Sequence, residues 1–148
     1  MSFPETTAYN ASISSYWSQQ AEALSPSCIF SPTSAQDVSE AVAILSGLSV
    51  LGSNFNLGCQ FAIRSGGHTP WAGANNINAG VTIDMSGINQ VTVSSDQSYT
   101  SVGPGNRWVD VYLKLDALGL AVPGGRVSTV GVGGLVTGGE FLWHISLT

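Results

Sequence analysis

His68 lies within "RSGGHTPWAG", residues 64–73, directly behind a glycine pair and the apolar run "FAI". Two residues without a Cβ let consecutive backbone amides and the Ser65 hydroxyl come close to an anion such as a phosphate. An unprotonated imidazole nitrogen can also attack an electrophilic carbon and leave a permanent link. The same residues equally describe a tight turn carrying an incidental surface histidine, and residue types alone leave these readings open. No partner ligand stands at a short spacing from His68, which disfavours a metal centre.

A second stretch, "RVSTVGVGGLVTGG" at residues 126–139, carries Gly131, Gly133, Gly134, Gly138 and Gly139. It reads as too interrupted for an ordinary strand or helix, and so open a backbone can turn successive amide donors toward an anion. Trp71 and Trp108 can either cover an aromatic ring or pack against glycine-rich backbone.

Other chemistries find no support. "GPGNRW" and "GVGGLV" contain parts of G-x-G-x-x-G, but neither completes it with a preceding strand and a later acidic residue, and no phosphate-loop lysine motif occurs. The serines lack a G-x-S-x-G elbow, and His144 lies in the apolar-flanked "EFLWHISLT". Asp84 and Asp96 end different strand candidates and form no carboxylate pair.

The elements that must hold these residues are partly readable. "QFAIRS" reads as a short buried strand delivering residues 64–67 at its C-terminal end, where α/β sheets present ligand-binding loops. Before it, Ser34 and Asp37 form a capping pattern, and Val38, Ala41, Val42 and Leu45 recur at helical spacing until Gly47, which predicts an amphipathic helix packed on a sheet. "GVTIDM", "QVTVSS" and "YTSVGPG" are strand candidates with alternating β-branched residues and together predict an antiparallel meander. "NRWVDVYLKLDALG" predicts a helix with Asn106 as its cap and Trp108, Val111, Tyr112, Leu115 and Leu118 on one face. Residues 14–24 are weakly helical and read as an edge element or connection.

With 148 residues, of which 43% are hydrophobic, the chain suits one domain with a sizeable core. Four basic residues against nine acidic ones give a net charge of -5, so there is no basic footprint for nucleic acid. Cys28 and Cys59 fit one disulfide or two separate thiols. Residues 1–30 show no basic start followed by an apolar core, and no stretch approaches ~18 apolar residues, so neither a signal peptide nor a membrane span is read. The expected location is therefore outside the cell if a signal peptide was removed or omitted, and the cytoplasm otherwise.

Five blocks, "CIFSPTSAQDVSEAVAIL", "FAIRSGGHTPWAG", "GVTIDMSGINQVTVSSD", "VGPGNRWVDVYLKLDALGLAVPGG" and "STVGVGGLVTGG", agree in order and spacing with one pattern. Together they resemble the flavin-binding, PCMH-type domain of FAD-linked oxidoreductases of the berberine bridge enzyme and vanillyl-alcohol oxidase type, especially fungal sugar and alcohol oxidases. The resemblance implies an α+β fold of two subdomains with FAD between them, cut short relative to the family. Residues 28–80 would form the first subdomain, 81–139 the start of the second, and 140–148 a divergent tail.

In such proteins the Arg-Ser-Gly-Gly-His loop wraps the pyrophosphate and the histidine is commonly joined to the 8α methyl of the flavin. The resemblance thus implies FAD contacts at Arg64, Ser65, Gly66, Gly67, His68, Thr129, Val130, Gly131, Gly133, Gly134, Gly138 and Gly139, with His68 as the residue able to hold FAD covalently. Pro104, Gly105, Pro123 and Gly124 would shape the walls. Many relatives carry a second attachment through cysteine in "C-P-T-V-G", and Val127 occupies that position here. Glu140 stands where relatives continue with glycine.

The implied activity is hydride transfer from an alcohol, sugar or related CH–OH substrate to flavin, with dioxygen as acceptor. The substrate domain of complete relatives is not in this chain, which leaves turnover open and keeps a non-catalytic flavin-fold binding module as the alternative. A small-molecule substrate would be met only in a full-length enzyme. The apolar tail predicts self-association.

Overall fold

The computed structural model describes residues 1–47 and 58–139. In chain order these form α1 (Thr7–Ser14), α2 (Gln19–Glu22), β1 (Cys28–Phe30), α3 (Ala35–Leu45), β2 (Phe61–Arg64), β3 (Val81–Asp84), a 3-10 turn (Met85–Gly87), β4 (Val91–Val93), β5 (Thr100–Val102), α4 (Trp108–Asp116) and α5 (Val132–Gly138).

Two small sheets divide the strands. The first is fully parallel in the order β1-β3-β2, with Ile29 and Ala62 both opposite Thr82 and Arg64 opposite Asp84. The second is the antiparallel pair β4-β5, with Val91 opposite Val102. The expected three-stranded meander is therefore corrected: only its second and third strands pair that way, and Val81–Asp84 lies with the first sheet. A central parallel strand must be buried on both faces. Accordingly Thr82, Ile83 and Asp84 are all buried, and the Thr82 hydroxyl is satisfied by donating to Asn76 Oδ1 at 2.8 Å.

The second core gathers on α4, where Trp108, Val111 and Leu115 meet Val132 and Leu135 of α5. Arg107, rather than Asn106, is the N-cap of α4, and its backbone N–H donates to Asp110 Oδ2 at 3.1 Å. Asn106 is instead buried, donating from its carboxamide to the carbonyls of Gly103 and Gln90. Leu118 falls beyond the helix and stays exposed.

A helix over "VGGLVTG" is the larger departure, because each glycine in a helix interior costs about 1 kcal/mol relative to alanine. Burial of Val132 and Leu135 against α4 offsets that cost, and Gly139 closes the helix in the left-handed region at φ 69°. At the start of the chain α1 ends at Ser14, where the expected residues 14–24 begin, and only the four-residue α2 falls wholly within them. Cys28 and Cys59 are both free thiols. The tail, with Glu140 and His144, lies outside the described residues.

The cap of α3 forms as its sequence requires. Ser34 Oγ accepts from the Asp37 N–H at 3.1 Å, and Asp37 Oδ2 accepts from the backbone of Thr33 and Ser34. Its apolar stripe is half-buried rather than fully covered. The backbone N–H of Thr33 is the foremost cause holding the Asp37 carboxyl below its ordinary value. Its contribution to stability is thus complete above that value and fades as pH falls through the lowered one. Ser34→Ala should cost about 1 kcal/mol, read as a lower urea midpoint with unchanged slope.

Candidate functional site

β2 ends at Arg64 and hands the chain to Ser65–His68, which turns sharply because Gly67 takes φ 67°. Gly66 lies backbone to backbone with Gly131: a Cβ on Gly66 would sit 2.5 Å from both the Cα and the N of Gly131. Ser65 fastens the same junction. Its hydroxyl donates to the Pro104 carbonyl at 2.5 Å and accepts the Gly133 N–H at 3.1 Å. Residues 39 and 68 positions away are thereby held to one side chain.

These contacts enclose a cleft of about 720 Å³. Of the twelve residues assigned from the sequence, Ser65, Gly66, Gly67, His68, Val130, Gly131, Gly133 and Gly134 line it. Thr129 reaches the cleft's edge through its hydroxyl, 3.1 Å from His68 Nε2. Gly138 and Gly139 lie at the far end of α5, outside the lining. Pro104 forms part of the wall, whereas Pro123 and Gly124 do not, Gly124 being packed on Trp108 and Tyr112. Trp108 belongs to the core and Trp71 is 77% exposed, so neither covers the cleft.

Arg64 is placed differently from the expectation. Its side chain turns away behind the loop, where Nη1 donates to the Ser12 carbonyl at 2.8 Å and Ser12 Oγ at 2.9 Å, and Nη2 donates to Ser15 Oγ at 2.6 Å. Asp84 Oδ2 lies 3.7 Å from Nη1, and the guanidinium carbon rests 3.9 Å from the centre of the Tyr16 ring. A buried cation requires such partners, and Ser12 of α1 with Ser15 at its C-cap supplies the hydrogen bonds. Arg107 joins from the opposite side, donating toward the Ser15 carbonyl at 3.3 Å and the Gly66 carbonyl at 3.5 Å. A larger cleft of about 830 Å³ lies on this rear side, lined by Arg64, Asp84, Arg107 and Asp110. Arg64 and Asp84 already face one another there, and it holds neither His68 nor the glycine loop.

The opening segment contributes more than its sequence suggested. Trp17 stacks on His68 with ring centroids 4.6 Å apart and planes inclined by 19°. Its backbone N–H donates to the Gly67 carbonyl at 3.2 Å, while Ser18 Oγ donates to the Thr69 carbonyl. Tyr16 donates its phenol to the Asn75 carbonyl at 2.9 Å. Burial pushes that phenol up to about 12, with the Arg64 charge opposing the rise. No periodicity or motif in residues 14–24 marks these roles; the aromatic pair Tyr16–Trp17 is the only visible hint.

Two observations test whether an anionic, hydroxyl-rich cofactor fits the cleft. Among the described residues, nothing accepts from the backbone amides of Gly66, Gly67 and His68, which leaves successive donors beside the cleft. Asn75, 7% exposed and on the same lining, has a buried Oδ1 without a hydrogen-bond donor. Donors for phosphate oxygens and a buried acceptor for a hydroxyl or amino group match the chemistry of a flavin dinucleotide. Among the described residues no cluster of His, Cys, Asp or Glu is arranged to hold a metal, and no helix is long and apolar enough to cross a membrane.

A parallel sheet feeding a glycine-histidine loop against a second α+β unit is the fold of FAD-linked oxidoreductases of the berberine bridge and vanillyl-alcohol oxidase type. The chain belongs to the FAD binding domain family, whose pattern matches residues 26–144. It is 48% identical to the FAD-dependent monooxygenase sdcF of Emericella nidulans over 97% of this chain and 28% of that protein. With the FAD-dependent monooxygenase tpcD of Cochliobolus heterostrophus it shares 38% identity over 95% of this chain and 26% of the relative. The chain thus spans about a quarter of the length of the curated relatives it matches.

Solved structures agree on the fold. 6-Hydroxy-D-nicotine oxidase of Arthrobacter nicotinovorans superposes with a TM-score of 0.72 at 24% identity, over 88% of this chain and 26% of the other. The BBE-like 1 protein of Physcomitrella patens gives 0.68 at 25% identity, over 88% and 26%.

Gly66→Ala should force the two backbones apart at Gly131. A loss of about 1–3 kcal/mol is expected, the range for an overpacked interior, and thermal unfolding of the variant measures it. Gly134→Ala is the control, since nothing lies within 4 Å of a Cβ there.

Proposed function

We propose that this chain is the FAD-holding part of an oxidoreductase whose substrate is an alcohol, sugar or related CH–OH donor and whose electron acceptor is dioxygen, with FAD attached covalently through His68. The observation that carries the reading is the position of the imidazole on the cleft lining, beside unpartnered amides and with one nitrogen engaged by Thr129. The matched relatives include proteins named FAD-dependent monooxygenases, which supports oxygen as a co-reactant.

Bound FAD supplies a two-electron acceptor, and the protein supplies position and electrostatics. The amides of residues 66–68 would receive the diphosphate, while Ser65 keeps their loop against α5 and Arg64 and Arg107 brace it from behind. Asn75 Oδ1 would accept from a cofactor hydroxyl or amino group. His68 would supply the nucleophilic nitrogen, giving up its N–H as a C–N bond replaced one C–H bond of the flavin 8α methyl. The two protons and two electrons released would pass to dioxygen, giving hydrogen peroxide. Val127, 52% exposed in the position of the second attachment, has no nucleophilic atom and limits the chain to one link.

Incubating the chain with FAD in air, denaturing it in acid, and recording flavin absorbance with intact mass tests the reading. A yellow polypeptide heavier by one FAD less two hydrogens is expected, and His68→Ala should return the mass to that of the unmodified protein. A colourless wild-type polypeptide of unmodified mass overturns covalent attachment and favours a flavin-fold module without that chemistry.

A further inference from the structure

Trp17 lies upstream of the residues that match the family pattern, yet it forms one wall of the His68 environment. Resting on the covalent reading above, we infer that Trp17 and Thr129 are positioning residues for flavin attachment, fixing the plane and rotation of the imidazole so that its Nδ1 faces the cofactor.

Two constraints are needed to immobilise a ring on a rotatable side chain, and the structure supplies both. Stacking at 4.6 Å and 19° sets the plane of the imidazole. The 3.1 Å contact from Nε2 to Thr129 Oγ1 sets its rotation within that plane. Among the described residues Nδ1 has no partner and is the nitrogen left open.

The indole is itself held at the backbone. The Trp17 N–H donates to the Gly67 carbonyl at 3.2 Å, and Ser18 Oγ ties the next residue to the Thr69 carbonyl at 3.2 Å. The residues on either side of His68 are therefore bonded to the segment that carries the stacking ring. Trp17 is 59% exposed, so a smaller side chain there removes the stack without opening the core. Placing a nucleophile in a near-attack geometry accelerates bond formation, and small misplacements slow it.

The test follows intact mass over time after FAD is added to the apoprotein in air. Trp17→Ala should slow attachment about 3- to 10-fold, the range expected for one lost aromatic stack, with non-covalent FAD affinity unchanged by fluorescence quenching. Trp17→Phe should restore the rate, because a flat ring returns. Thr129→Val should slow attachment and Thr129→Ser recover it.

A second readout does not require attachment. In the apoprotein the His68 ring protons should be shifted upfield by the indole, and the NMR shift should vanish in Trp17→Ala while remaining in Trp17→Phe. If wild type attaches FAD and Trp17→Ala does so at the same rate, the positioning role is overturned while covalent attachment stands. Absence of attachment in wild type overturns the reading beneath it and the positioning role together. Retention of the upfield shift in Trp17→Ala overturns the stack itself.

Discussion

Two main chains in direct contact, at Gly66 and Gly131, are the constraint on which the cleft depends. Side-chain contacts can slide or change rotamer, but peptide groups pressed together define a separation with little slack. The loop after β2 and the segment entering α5 are brought to one place in this way. The spacing between His68 and Thr129 is then set by backbone, not by flexible side chains. Ser65 reinforces the junction from both sides, accepting from Gly133 and donating to Pro104.

Electrostatics follow from the same geometry. A chain with only four basic residues and a net charge of -5 has little cationic material with which to meet a diphosphate. The backbone amides of Gly66, Gly67 and His68, without acceptors among the described residues, are donors whose placement costs no side-chain entropy. Arg64 and Arg107, two of the four cations, stand behind the loop and bond to Ser12, Ser15 and the Gly66 carbonyl. Their role in the architecture is to stiffen the donors, with Asp84 balancing the more deeply buried charge.

Where local chemistry decides the outcome, the sequence was readable. The α3 cap depends on two residues three apart, β2 on a short apolar run, and the His68 turn on adjacent glycines; the structure has each of them, and the family read from the five blocks is the family found. Long-range pairing was not readable. β3 has the same β-branched alternation as β4, and only its partners, β1 and β2, distinguish a parallel centre from a meander. α5 was hidden because its glycines argue against a helix until Val132 and Leu135 find α4. The role of Trp17 was unreadable for a related reason: its meaning comes from a histidine 51 positions away (68 − 17) in another loop. Arg64 stood in the right motif with the wrong orientation, since nothing in "RSGGH" reveals that the hydroxyls of Ser12 and Ser15 wait behind it.

The Ser65 hydroxyl also makes one wall of the cleft a product of long-range closure. Its partners at positions 104 and 133 are separated from it by long stretches of chain, so the loop-closure entropy must be met before either bond can reward it. A ribosome-bound nascent chain that has exposed only the first sheet therefore presents the glycine turn without its opposite wall. Both walls of the cleft come together only once the segment carrying Pro104 and Gly133 has packed against that turn.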